Sequence, residues 1–232
     1  MCCLQADGPS TVALEGGTHN GEAPSVDFLR IAYLPLLERM GACISIDFHR
    51  HGFYPAGAGR WQCTVEPCKR LSSLYLMAPG KLMRREAVVL FSNISDQVAQ
   101  RQLALVQAEL KWEPERFSVE NVNSVGPGNI VSLRLHHEHV AEVFEATGAK
   151  GTCDEVATRA LIALNAYQAR EAAVGEYLCD QLLLPLSLGA GGCFTTGKLS
   201  EHTLTNMHVI RTIAGRCFDV TDLGEGVVQV SI

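Results

Sequence analysis

Apolar residues recur every three or four positions in five stretches of this chain and every second position in many others, and the two periods are interleaved from end to end. The helical period predicts an amphipathic helix from about Ser25 to Met40. Phe28, Ile31, Ala32, Leu34, Pro35, Leu36 and Leu37 supply its apolar face, Ser25 and Asp27 favour its start, and Gly41 favours its stop. Pro35 should bend or shorten it. The same period predicts helices over Asp96–Lys111, Asp154–Arg170 and Gly175–Leu188, and a last one opening at Ser200 with Leu204, Met207, Ile210 and Ile213. Alternating runs predict strands at Thr11–Leu14, Cys43–Phe48, Trp61–Val65, Leu74–Met77, Glu86–Ser92, Glu115–Val122, Ile130–Leu135, Val140–Phe144 and Cys193–Thr196. A final strand pair, Cys217–Thr221 and Val227–Ile232, closes around the turn LGEG.

This order lacks the strict alternation of a doubly wound sheet, so the predicted class is α+β, or mixed α/β, in sandwich layers. The pattern changes character near Pro67–Leu71 and returns at Ala172. The first portion (about 11–78) and the last (about 172–232) each hold a few strands and helix. They read as two copies of one unit separated by a different domain.

Composition narrows the partners. Of the 232 residues 47 % are hydrophobic and 19 % charged, with a formal net charge of −6, which argues against a duplex-DNA binder that relies on overall positive charge. The longest apolar run, Leu182–Leu188, is interrupted by Pro185 and Ser187 and is too short to span a bilayer, so no membrane partner is expected. Nine cysteines are scattered without a C-x-x-C pair, and Cys63 and Cys68 make a poor zinc half-site, so no metal ligands are assigned. The odd count fits reduced thiols in an intracellular, cytoplasmic protein. The cluster HHEH at 136–139 reads as mostly solvated.

Candidate chemistry concentrates near the C-terminus. In SEHTLTN (200–206), Ser200 can cap a helix whose first turn holds His202. The partly positive helix end favours the neutral imidazole, which is a nucleophile, and nearby N–H groups can hold a phosphate. Tyr177, Asp180 and Gln181 lie three and four apart, so one helical face can present a ring, a carboxylate and an amide to a base or ribose. Arg50 and His51 beside Gly52 are a further phosphate-binding candidate or a solvated loop, and neither GGTHN nor YPAGAG follows a P-loop or dinucleotide spacing.

Taken together, GGTHN followed by EAPSVDFL, then RHGFYPAG, GPGN, AVGEYLCDQLLLP and SEHTLTN resemble the RNA 3′-terminal phosphate cyclase family over nearly the whole chain. The resemblance implies ATP-dependent conversion of an RNA 3′-terminal phosphate to a 2′,3′-cyclic phosphate through a histidine-AMP intermediate, with His202 as nucleophile. It implies a nucleoside pocket from Tyr177, Leu178, Cys179, Asp180 and Gln181 with Pro24 as a further wall, and Mg2+ or another divalent ion on the triphosphate. For the fold it implies repeated units of two helices on a four-stranded sheet with an inserted smaller α/β domain. The divisions are then 1–78 (core repeat), 79–171 (insert) and 172–232 (last core repeat, with His202). Roughly another hundred residues are expected ahead of this match in a full-length member. The chain thus reads as an N-terminally truncated form whose activity is impaired, and Ala58 stands in YPAGAG where the family prefers glycine. The alternative is a non-catalytic RNA-processing or ribosome-assembly scaffold of the same superfamily, which is expected to lack the histidine nucleophile.

Overall fold

A computed structural model describes residues 1–148 and 153–232. It contains both periods where the sequence puts them, in a mixed α+β architecture. After a 3-10 turn at Cys2–Gln5 come strand β1 (Ser10–Gly16) and a continuous helical segment. That segment is α1 (Val26–Phe28), a π-helical turn (Leu29–Tyr33) and α2 (Leu34–Arg39). Ser25 caps it, its hydroxyl accepting from Phe28 N–H at 2.9 Å. Pro35 falls at the start of α2, directly after the π turn, so the irregular turn absorbs the ladder bond that proline cannot donate. Gly41, at φ 96, ends the segment.

Strands β2 (Cys43–Arg50) and β3 (Gly59–Glu66) complete an antiparallel three-stranded sheet in the order β1-β3-β2. The next strand, β4 (Leu74–Leu76), does not join it. It pairs in parallel with β9 (Gly192–Thr196), as the edge of a sheet ordered β10-β11-β9-β4 with β10 (Asp219–Gly224) and β11 (Val227–Ser231). The first and last stretches of the chain therefore share a sheet. They also share one core, in which Phe28, Ala32 and Leu36 of the first helical segment meet Leu178, Leu182, Leu186, Phe194 and Val230.

Between them, β5 (Leu82–Ser92), β6 (Phe117–Asn121), β7 (Gly128–His137) and β8 (Ala141–Thr147) form a third sheet in the order β6-β5-β7-β8. Helices α3 (Asp96–Leu110) and α4 (Cys153–Gln168) cover one face with a core of their own, including Val89, Phe91, Val131, Leu133, Leu164 and Tyr167. The other face of β5 and β7 meets Phe53 through Val88, Leu90 and Ile130. Burial on both faces explains why AVVLF runs without polar interruption. It also corrects the reading of HHEH. His136 and His137 are half-buried on a central strand, His136 Nε2 lying 3.5 Å from Glu86 and His137 Nδ1 3.2 Å from the Gly80 carbonyl. His139 is the exposed one. No helix among the described residues is long and apolar enough to cross a membrane.

Candidate active site

Two helices begin side by side at the end of β9. Ala173 N–H donates to Thr195 Oγ1 at 2.9 Å and Val174 N–H to the Thr195 carbonyl at 3.0 Å, so residues 173–174 run along β9 and turn into α5 (Glu176–Leu188). The chain leaves β9 at Thr196, passes Gly197–Leu199 and enters α6 (Glu201–Ala214). Ser200 is its N-cap, accepting from Thr203 N–H at 3.2 Å. His202 is exposed in that first turn, as the capping pattern predicts.

These ends open on a cleft of about 650 Å³. Glu176 and Tyr177 line it from α5; Lys198, Ser200, Glu201 and His202 line it from the approach to α6. Glu142 and Phe144 of β8 face them with Ala163, Tyr167 and Arg170 from α4 and its end. The Tyr177 ring is 59 % exposed, which leaves its surface free for stacking.

The other residues singled out from the sequence have different places. Leu178 and Cys179 are buried in the core, so a ligand meets them only through the backbone. Burial pushes the Cys179 thiol up to about 12, against the Thr203 and Thr196 hydroxyls beside it. Asp180 and Gln181 are not among the residues that line the cleft. Asp180 Oδ1 accepts from Asn206 Nδ2 at 3.1 Å, its carbonyl accepts from the same amide at 3.3 Å, and Gln181 Nε2 donates to Asp180 Oδ2 at 3.2 Å. Asp180 and Asn206 thereby fasten α5 to α6, and Gln181 braces Asp180 from within α5. Pro24 is half-buried in the loop before α1 and is not a lining residue either. Arg50 is committed to structure, its Nε donating to the Ala58 carbonyl at 2.7 Å. His51 packs on His19, with ring centroids 4.8 Å apart. Burial, and then the His19 ring, lowers the His51 pKa to about 4.

Glu142, Phe144, Arg170 and Lys198 were not singled out from the sequence. Glu142 is buried, and Gly175 N–H at the cap of α5 donates to its Oε1 at 2.6 Å. Burial outweighs that bond and raises the carboxyl to about 8. A signal existed: Glu142, Phe144 and Ala146 alternate on one strand face, and a glutamate sharing a face with Phe and Ala points inward. Among the described residues no group of three or more His, Cys, Asp or Glu side chains could hold a metal ion.

A profile of the RNA 3′-terminal phosphate cyclase family matches residues 1–220. The chain belongs to that family. The RNA 3′-terminal phosphate cyclase of Ectopseudomonas mendocina (strain ymp) is 40 % identical over 231 residues, 99 % of this chain and 67 % of that protein. That of Salmonella paratyphi C (strain RKS4594) is 40 % identical over 228 residues, 98 % and 66 % respectively. That of Ralstonia nicotianae is 44 % identical over 208 residues, 88 % and 59 %. The chain spans about two thirds of the length of the first two of these cyclases and less of the third.

Proposed function

We propose that this chain binds ATP in the cleft between α4 and the N-termini of α5 and α6, and that it carries AMP on His202 during conversion of an RNA 3′-terminal phosphate to a 2′,3′-cyclic phosphate. The observation that carries this reading is that Tyr177 and His202, from two different helices, line one cleft. A base stacked on Tyr177 leaves its phosphates toward the first turn of α6, where helix N–H groups without intrahelical acceptors favour anions. A neutral imidazole nitrogen of His202 attacks the α-phosphorus; the bond to pyrophosphate breaks, and the ring gives up its other proton. AMP then passes to the RNA 3′-phosphate, and His202 is regenerated. The neighbouring 2′-hydroxyl attacks the activated phosphorus and AMP leaves. Asp180 acts by holding α5 against α6 through Asn206, with Gln181 bracing Asp180, and no step is assigned to a metal. Nine free thiols fit a reducing compartment, and the cytoplasm is the one proposed for this chain.

The test is covalent labelling of the purified chain with ATP radiolabelled at the α-phosphate. Label stable in alkali and lost in acid is expected, as for a phosphoramidate. His202→Ala and His202→Asn are each expected to abolish it while the thermal melt is kept. Label that persists in His202→Ala, or a wild-type chain that takes none, sinks the reading.

A further inference from the structure

Two cations in the cleft have no part in the nucleoside and nucleophile roles. Arg170 follows the last turn of α4, and Lys198 lies between β9 and α6. Arg170 is oriented by one backbone hydrogen bond and passes over two glycines whose missing side chains leave it room. Its Nη1 donates to the Ala166 carbonyl at 2.7 Å, and a side chain added at Gly197 or Gly226 would run against it. Arg50, Arg60, Arg84, Arg85, Arg101, Arg116 and Arg134 each face a carboxylate within ion-pair distance. Among the described residues Arg170 and Lys198 do not, nor do Arg30, Arg39, Arg70, Arg211 and Arg216, but of these only Arg170 and Lys198 line the cleft, where solvent or a ligand supplies the counter-charge.

A second feature points the same way. Thr196 lines the cleft at 1 % exposure, and its hydroxyl has no hydrogen-bond partner of normal geometry, only the Cys179 thiol beside it. A buried hydroxyl in this state is costly unless a ligand or water completes it. Glu176 and Glu201 are the acids on the cleft margin, each in a helix first turn. Glu142, the third acid of the cleft, is buried against Gly175 N–H.

We propose that Arg170 and Lys198 form a phosphate subsite beside His202, whose ligand is a phosphoryl group of the nucleotide or of the RNA 3′ end. This rests on the reading of the cleft as a nucleotide site. An arginine oriented by a backbone carbonyl presents its remaining N–H groups to phosphate oxygens, and the flexible lysine adds a second charge from the loop that enters α6.

The experiment is equilibrium binding by calorimetry on the full chain. ATP, adenosine, and two oligoribonucleotides differing only in a 3′-phosphate or 3′-hydroxyl are compared across wild type, Arg170→Gln, Lys198→Gln and the double variant. Each single change is expected to weaken ATP about tenfold, with adenosine unchanged. The salt dependence of ATP binding should also flatten in the double variant. If only the preference for the 3′-phosphorylated oligonucleotide falls, the subsite stands and serves the RNA end. Equal losses for ATP and adenosine would mean that the residues shape the cleft without meeting phosphate, and that overturns the proposal. So does unchanged binding of ATP and of 3′-phosphate in the double variant. A wild-type chain that binds neither ATP nor adenosine refutes the nucleotide reading instead, and the 3′-phosphate arm alone then decides the subsite.

Discussion

Ala58 stands at φ 54, in the left-handed region, in the turn between β2 and β3. The conformation costs an L-residue about 1–2 kcal/mol, and its carbonyl is needed there to receive Arg50 Nε. Glycine removes the strain but adds about 0.5–1 kcal/mol of backbone entropy to the unfolded chain. Ala58→Gly should therefore stabilise by about 0.5–1 kcal/mol, a rise of about 1–4 °C in a thermal melt; a lowered melt would contradict the strain. Glu142 supplies a pH-dependent counterpart. Its folded carboxyl titrates near 8, above the usual carboxylate range, so between those values the folded state holds a proton that the unfolded chain has lost. Stability should fall as pH rises across that window and level off above it. Glu142→Gln keeps the acceptor for Gly175 N–H and removes the titration. It should be more stable than wild type at pH 8 by about 1–4 kcal/mol, and the difference should shrink toward pH 5. A constant difference at all pH values would refute the assignment. At this scale the sequence was unevenly legible. His202 and Tyr177 stand in local patterns whose helical geometry follows from spacing. Arg170 and Lys198 are ordinary residues of a helix end and a loop until the tertiary fold sets them in one cleft.

Element by element, hydrophobic period and caps placed most helices and strands well, because most elements bury one clear face. Ends moved where hydrogen-bond geometry overrode the pattern. Lys111, at φ 50, terminates α3, and a 3-10 turn at Pro114–Arg116 takes the start of the predicted strand before β6. Which strands become neighbours was less legible: Leu74–Leu76 carries no local sign that it will pair with Gly192–Thr196. The α5–α6 pair shows the same division. The apolar faces of both helices were readable, whereas the fastening of Asp180 to Asn206 spans 26 positions and depends on their packing. That fastening lies about one helical turn from Tyr177 and from His202, so it should help set how the two face each other. Asn206→Ala leaves the half-buried Asp180 without its partner and should cost about 1–3 kcal/mol. Labelling of His202 should fall without disappearing. With Asp180→Ala, a double-mutant cycle should give a coupling of about 0.5 kcal/mol or more. Additive effects would mean that the two helices are positioned by their apolar faces alone.

For the whole molecule, we propose that residues 79–171 behave as a lobe set into the remainder. The larger core draws on both ends of the chain and takes only Val140 and Val143 from this stretch, whereas every buried residue of the second core lies between Ala87 and Tyr167. Among the described residues several polar contacts join the parts, including Arg39 Nη1 to the His139 carbonyl and His51 N–H to the Asn123 carbonyl at 3.0 Å. Arg134 Nη2 donates to Asp27 Oδ2 at 2.7 Å, Gly175 N–H to Glu142 at 2.6 Å, and Tyr167 Oη to the Ala173 carbonyl at 3.1 Å. Phe53 adds an apolar contact under β5 and β7. Burial pushes the Asp27 carboxyl up, but the His19 ring and Arg134 outweigh it and hold it at about 2, so this joint keeps its charge at neutral pH. If the lobe is a unit, native-state hydrogen exchange at rising denaturant should resolve two cooperative groups. The amides of β5, β7, α3 and α4 should converge on one opening free energy, and those of β9, β11 and α5 on another. Arg134→Ala, which leaves Asp27 buried without its cation, should lower both by about 2–4 kcal/mol because the joint belongs to both sides. Leu103→Ala, confined to the second core, should lower the first group by about 2–4 kcal/mol and leave the second within a few tenths. A single exchange isotherm for all of these amides, shifted equally by Leu103→Ala, would show one cooperative body and remove the lobe.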